Sequence, residues 1–237
     1  MFAPCEYARY KLFMQIVIRN SYEPSPFGTN TDVAIFCDVF RASTTLLTLA
    51  NSKAKDIYLT NDEETALNFV KKGAVLFSEV FKGGYDNSPT QVKTLDLNGK
   101  VIIHKSTNLT NAIFHHPGFA RGYIGSFVNL TRVIQLLKHC AGKKVELIAA
   151  SHFAKGTEAI EDVGCIALMS SYLESGIKAP IPKHSEILEK VKAKRARGSY
   201  SDHYFTDVEC ALVVDEFDFI AEVTICDERT MRLTRLD

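Results

Sequence analysis

Asp32-Val33-Ala34-Ile35-Phe36-Cys37 runs directly into Asp38-Val39-Phe40-Arg41-Ala42-Ser43-Thr44-Thr45, and from there into Leu46-Leu47-Thr48-Leu49-Ala50. The first segment is a short apolar run of the length a buried strand needs, and the last has the composition of a buried helix. Between them an acid, an arginine and three consecutive hydroxyl residues mark a strand-to-helix turn. Two readings stay open at this point. Ser43 caps a helix while Arg41 pairs with Asp38, or the turn holds an anion. In the second reading, unpaired helix N–H groups are joined by the Arg41 fork and by the Ser43, Thr44 and Thr45 hydroxyls.

Working outward, short apolar runs alternate with longer amphipathic ones, the pattern of a mostly parallel sheet with helices on its faces. The spacing predicts strands at Gln15–Ile18, Val33–Cys37, Asp56–Leu59, Ala74–Ser78, Lys100–His104, Ala120–Ile124 and Val145–Ala149. Thr60-Asn61-Asp62-Glu63 reads as a capping box opening a helix that Gly73 stops. Asn87-Ser88-Pro89 reads as a cap followed by proline at the first helical position. Two further buried helical faces run through Leu130–Leu137 and Ile166–Leu173. A helix is expected over Ser185–Arg197, whose basic run reads as a solvated face, and a terminal hairpin from Cys210–Val214 and Ile220–Ile225. The expected fold is α/β: three layers, a mixed but mostly parallel sheet, helices on both faces, and two loosely similar halves. The likeness rests on Ala34–Ala50 and Val101–Phe114, which both run strand, basic and hydroxyl-rich turn, helix. One domain over residues 1–237 is expected, with candidate subdomains at about 1–100 and 101–237.

Composition narrows the function. Acids and bases balance at 28 each, so no overall field draws the chain to nucleic acid or to a membrane surface. No apolar run reaches the length of a membrane span. The six cysteines show no short metal-like spacing and mostly sit in apolar segments, which reads as reduced thiols in a cytoplasmic protein.

Other turns resemble the first. Lys105-Ser106-Thr107-Asn108 follows the strand ending at His104, and Gly125-Ser126-Phe127-Val128-Asn129 follows the strand ending at Ile124. In a parallel sheet both fall at carboxyl ends of strands, on the edge where such folds bind ligands. Carboxylates gather there too: Asp38, Glu79 just past its strand, and Glu161-Asp162 at a helix start. Asp38, Glu79, Glu161 and Asp162 are oxygen ligands of the kind Mg²⁺ takes, although Glu161 and Asp162 also read simply as first-turn acids. His115-His116 reads as a helix cap or surface pair, His104 as a supporting group, and His152 as a surface loop residue or an acid/base group.

The ordered set Asp38-Val-Phe-Arg-Ala-Ser-Thr-Thr, Glu79, Asn87-Ser-Pro, Ser106-Thr-Asn-Leu-Thr, Gly125-Ser-Phe-Val-Asn129 and Glu161-Asp162 resembles the 2-phosphosulfolactate phosphatase family. The resemblance runs from about Val33 to Leu173 and continues in Asp207-Val-Glu-Cys-Ala-Leu. It implies an α/β phosphoric monoester hydrolase that uses Mg²⁺ and converts 2-phosphosulfolactate and water to sulfolactate and phosphate. Carried onto this chain, it implies catalytic roles for Asp38, Arg41, Glu79 and Asn108 and metal ligation by Asp38, Glu79, Glu161 and Asp162. Substrate contacts fall to Ser43, Thr44, Thr45, Asn87, Ser88, Lys105, Ser106, Thr107, Gly125, Ser126 and Asn129. The expected partner is a small-molecule phosphoester, with neither nucleic acid nor membrane, and a homodimer is left open. Three positions depart from the family pattern: Leu109 stands for a glycine, Val80 for a basic residue, and Ala150-Ser151-His152 for Ala-Gly. Leu109 and Val80 motivate the alternative of a non-catalytic binder of a phosphorylated or sulfonated metabolite.

Overall fold

The computed structural model describes residues 14–81, 83–116, 118–175, 189, 193 and 203–237. The first part of the chain forms β1 (Gln15–Asn20), β2 (Thr31–Cys37), α1 (Ala42–Ala50), β3 (Asp56–Leu59), α2 (Glu63–Lys71), β4 (Val75–Phe77) and α3 (Pro89–Lys93). Then follow β5 (Val101–His104), α4 (Leu109–His115), β6 (Phe119–Gly125), α5 (Leu130–Lys138), β7 (Lys144–Ala149), α6 (Ile160–Ser175), α7 (Tyr204–Ala211), β8 (Ile220–Ile225) and β9 (Met231–Leu236). All nine strands join in one sheet of order β1-β7-β2-β6-β8-β9-β3-β5-β4. The class is the one the alternating pattern predicts: mostly parallel, α/β, with helices on both faces.

The sheet has two parallel blocks, β1-β7-β2-β6 and β3-β5-β4. Between them lies the hairpin β8–β9, antiparallel to β6 on one side and to β3 on the other. Three successive reversals therefore make the two blocks run in opposite directions. The polar turns after β2 and β6 thus do not share an edge with those after β4 and β5, as one parallel sheet would require. Twist changes the consequence. At about 20–25° per neighbouring pair, five steps from β2 to β5 rotate one block against the other by roughly 100–125°. Both blocks send side chains into one cluster with the helices on one face, and the turns after β5 and β7 meet through Asn108 and Phe153.

Alternation along each strand sorts the core. Ala34 and Phe36 of β2, Ile124 of β6, Ile148 of β7 and Ile102 of β5 face a cluster that includes Leu46, Leu47 and Leu49 of α1, Val92 of α3, and Leu109 and Ile113 of α4. Val33, Ile35 and Cys37 face the opposite cluster with Leu130, Val133 and Leu137 of α5, Cys165, Ile166 and Met169 of α6, and Val208 and Ala211 of α7. Ala66 of α2 covers Leu76 and Ile103 on the second block. The look-alike segments are the units β2–α1 and β5–α4, one from each block. Cys37, Cys140 and Cys165 are buried free thiols, and Cys226 is exposed. Among the described residues no helix is long and apolar enough to cross a membrane.

Local signals were partly misread. Asp62, not Thr60, caps α2, its carboxylate accepting from Thr65 N at 2.8 Å, while Thr60 Oγ1 accepts from Asp62 N at 3.0 Å. The apolar stretch from Cys210 onward is the last turn of α7 and the chain leaving it, so it supplies no strand. The hairpin partner of β8 is β9, whose Met231-Arg-Leu-Thr-Arg-Leu236 alternates with period two and carries the strand signal directly. His116 is 7% exposed and packs in a buried network, with Arg19 Nη2 at 2.9 Å from its Nδ1 and Arg19 Nε donating to Glu146 Oε2 at 2.6 Å. It is the C-cap residue of α4, its N–H donating to Ile113 O, and its ring is buried and not at the surface. The helix expected over 185–197 lies outside the described residues.

Gly125 closes β6 where β2 and α6 converge. A Cβ there would lie 2.7 Å from Ile35 Cγ2 and 3.0 Å from Met169 Cε. Both neighbours are fully buried, so neither can swing away. Gly125→Ala is expected to cost about 1–3 kcal/mol by overpacking, read as a lower urea midpoint with unchanged slope.

Candidate functional site

The site is built on two buried carboxylates that accept backbone N–H groups from separate segments. Asp38 follows β2 directly and is 4% exposed. Its Oδ1 accepts from Ala42 N at 3.3 Å, and its carboxylate also accepts from Leu109 N. The first residues of α1 and α4, one from each block, thus point their N-terminal dipole ends at the same side chain. Asp162, in the first turn of α6, accepts from Val39 N at 2.7 Å and from Ser151 N at 2.9 Å. It ties the turn after β2 to the turn after β7. Asn108 adds a third tie, its Oδ1 accepting from Phe153 N at 3.2 Å.

These acids repel one another. Asp38 is pushed up to about 7, first by burial, then by Glu79 and Glu161, against the opposing pull of the Ala42 and Leu109 N–H groups. Asp162 is raised well above the usual carboxylate range by burial and by Asp38 and Glu161. Glu161 is buried at 5% exposure. Glu79 is exposed and swings toward α4, where Thr107 Oγ1 donates to its Oε1 at 2.8 Å. Among the described residues, no lysine or arginine comes within 4 Å of any of the four. Four acids from three turns therefore share one region without an ion-pair partner among the described residues.

The remaining sequence-derived candidates divide clearly. Ser43, Thr44 and Thr45 are buried, and their hydroxyls face inward rather than outward. Ser43 Oγ accepts from Asp38 N at 2.9 Å, and Thr44 Oγ1 donates to Val39 O at 3.1 Å and meets Ser126 Oγ at 3.1 Å. Thr45 Oγ1 has no hydrogen-bond partner among the described residues. Ser126 and Asn129 form a reciprocal cap at the start of the helical segment after β6. Ser106 and Thr110 do the same at α4, Thr110 N donating to Ser106 Oγ at 3.0 Å. Ser88 caps α3, as the Asn-Ser-Pro signature predicts. Asn87 meets His104 Nε2 at 3.0 Å, and burial lowers His104 to about 3, which keeps that ring neutral. Lys105 Nζ stands 5.9 Å from the Phe81 ring centre, beside neither buried acid.

Arg41 does not pair with Asp38. Its Nη1 donates to Asp86 Oδ2 at 2.8 Å and to Asp207 Oδ2 at 2.7 Å, and its Nη2 donates to Asp86 Oδ1 at 3.0 Å. Sequence reasoning passed over both partners. Asp86 had a legible signal, as the acid just ahead of Asn87-Ser88-Pro89. Asp207 opens the segment that extends the family resemblance, and only folding brings it to Arg41.

The departures from the family pattern resolve differently. Leu109 is the first residue of α4, is not among the positive-φ positions, and its fully buried side chain belongs to the core. The backbone does not need a glycine there. Ser151 is the position with left-handed backbone, φ 54. That conformation costs a non-glycine residue about 1–2 kcal/mol. Offsetting bonds run from Ser151 Oγ to Asn20 Oδ1 at 2.8 Å and from Ala159 N to Ser151 Oγ at 3.2 Å.

For Mg²⁺ the donor set is chemically suitable: carboxylate oxygens, uncompensated, in a buried setting. No group of three His, Cys, Asp or Glu among the described residues is close enough to form a full protein cage. Mg²⁺ asks for less, since it keeps several waters and binds through one or two carboxylates plus phosphate. Both oxygens of Asp162 are engaged by backbone, which leaves Asp38, Glu161 and Glu79, whose Oε2 has no hydrogen bond among the described residues, to serve.

Known proteins share this arrangement of sequence. A relative from Thermoplasma volcanium, named probable 2-phosphosulfolactate phosphatase, is 33% identical over 141 residues, covering 56% of this chain and 63% of its own length. One from Thermoplasma acidophilum with the same name is 25% identical over 198 residues, covering 81% of this chain and 86% of the relative. A third, from Thermus thermophilus and also so named, is 27% identical over 150 residues, covering 60% of this chain and 62% of the relative. The matched segment thus spans less than two thirds of the first and third relatives. The family described as 2-phosphosulpholactate phosphatase matches residues 20–224, from the end of β1 to β8, and so takes in every element of the site. The chain belongs to the 2-phosphosulpholactate phosphatase family.

Proposed function

We propose that this chain is a Mg²⁺-dependent phosphatase of a small phosphorylated acid, hydrolysing 2-phosphosulfolactate, the compound in its relatives' names, to sulfolactate and phosphate. The observation that carries the reading is Asp38: buried, held by two helix starts, and poised near pH 7 beside Glu161 without an ion-pair partner among the described residues. A phosphoester brings two negative charges into that region, and no ion pair among the described residues balances the acids already there. Asp38 and Glu161 would hold Mg²⁺, which when bound neutralises phosphate oxygens and orients the attacking oxygen. Without metal the Asp38 carboxyl is half-ionised near neutral pH, and bound Mg²⁺ would displace its proton and hold it as a carboxylate ligand. Asp162 keeps the turns after β2 and β7 in register, and Asn108 keeps the turn after β5 against them. Arg41 offers directional donors to the phosphoryl oxygens rather than net charge, because Asp86 and Asp207 already outweigh it.

A screen of phosphate release over small phosphoesters, 2-phosphosulfolactate included, tests the reading. Release that requires added Mg²⁺ and falls by about 10²–10⁴-fold in Asp38→Asn is expected. Undiminished hydrolysis in that variant would sink the assignment, and tight phosphate binding without release would favour the non-catalytic binder.

The raised Asp38 pKa gives a second expectation, for the metal-free protein. Between the ordinary carboxylate value of about 3.9 and the folded value of about 7, the native state keeps a proton that the unfolded chain has released. Stability from this group is therefore greatest below about pH 4, declines as pH rises to about 7, and is flat above. Mg²⁺ competes with that proton, so its thermal stabilisation is expected to be larger at pH 8 than at pH 5.5. Equal Mg²⁺ shifts at both pH values would contradict it.

A further inference from the structure

Asp207 takes no part in the reaction as proposed, yet it is fully buried and makes three short polar contacts. Its Oδ2 accepts from Arg41 Nη1 at 2.7 Å, and its Oδ1 accepts from Ser88 Oγ at 2.6 Å and from Thr90 N at 3.1 Å. Asp86 completes the arrangement by taking the outer Nη1 and Nη2 edge of the same guanidinium. A guanidinium has five N–H groups, and these two carboxylates engage three of them. The two left over, Nε–H and the second N–H of Nη2, lie parallel on one side. That is the spacing two oxygens of a tetrahedral oxyanion need. Among the described residues neither donor has a hydrogen-bond partner, and the Arg41 side chain keeps 13% of its surface exposed.

We propose that Asp207 and Asp86 are positioning residues that clamp Arg41 on two edges, leaving its third edge fixed as the receptor for an oxyanion of the substrate. This rests on the phosphatase reading above. The physical reason for a double clamp is entropic. A free arginine loses about 2 kcal/mol of side-chain freedom when a ligand fixes it, and here the fold has already fixed it. The clamp also assigns work to α7, which comes from the far end of the chain yet reaches α1 and α3 at the site.

Steady-state kinetics and inhibition by inorganic phosphate, both with Mg²⁺, test the clamp in Asp207→Asn, Asp86→Asn, Arg41→Ala and the double variant Arg41→Ala/Asp207→Asn. Asp207→Asn is expected to raise KM and the phosphate inhibition constant by about tenfold to a hundredfold, the worth of one hydrogen bond to a charged group. In the double variant the loss should be no greater than in Arg41→Ala alone, since a clamp without its arginine has nothing to hold. Asp86 is 25% exposed at its side chain, so Asp86→Asn supplies the same comparison should Asp207→Asn fail to fold. Multiplying losses in the double variant, or a wild-type KM in both clamp variants, would overturn the positioning role while leaving the phosphatase reading intact. A wild-type protein that neither releases nor binds phosphate would overturn both.

Discussion

Two buried carboxylates accepting backbone N–H groups hold this structure's working end together. Asp38 receives the first turns of α1 and α4, and Asp162 receives Val39 and Ser151. The α1 and α4 starts come from oppositely running halves of one sheet, which strand pairing alone would not bring together, whereas Val39 and Ser151 follow the paired neighbours β2 and β7. Each N–H left without its acceptor would cost about 1–3 kcal/mol in a buried setting. The acceptors are themselves costly to bury, because ionised they repel each other and neutral they accept less strongly. Asp38 settles near pH 7 as the balance of those demands. A group needed for the fold is in this way also poised for proton and cation chemistry.

Charge accounting sharpens the functional picture. Asp38, Glu79, Glu161 and Asp162 meet without an ion-pair partner among the described residues, and Arg41 is outweighed by Asp86 and Asp207. The helix starts that looked like anion receptors are largely filled by the chain's own side chains. Ala42 N and Leu109 N go to Asp38, Thr107 N and Oγ1 to Glu79, and Thr110 N to Ser106. Under the proposed function the fold would receive a cation first, with an anion following it. That inverts the simplest reading of a hydroxyl-rich turn.

Much of this was legible in the sequence. Apolar runs located seven strands because burial on both faces leaves few polar interruptions, and Ser88-Pro89 marked its helix by capping chemistry alone. The acids that meet at the site were legible as acids just past strands or at a helix start. Three things were not. The reversal of the second block depends on β9, whose clean alternation was overlooked in favour of the apolar Cys210–Val214 run. The Arg41–Asp207 contact spans 166 residues, and no local pattern encodes it. Leu109 looked like the damaging substitution because a family glycine was missing, whereas the left-handed backbone lies at Ser151. Backbone conformation is a tertiary outcome, and a missing glycine is informative only where φ is positive.

The most direct test of a cation-first site is a crystal of the protein soaked with Mn²⁺, as an anomalous stand-in for Mg²⁺, together with tungstate. The account predicts a Mn²⁺ peak bonded to carboxylate oxygens of Asp38 and Glu161, with a tungstate oxygen completing its coordination. Tungstate bound at the α1 or α4 helix start without metal, or Mn²⁺ located away from Asp38, would contradict it.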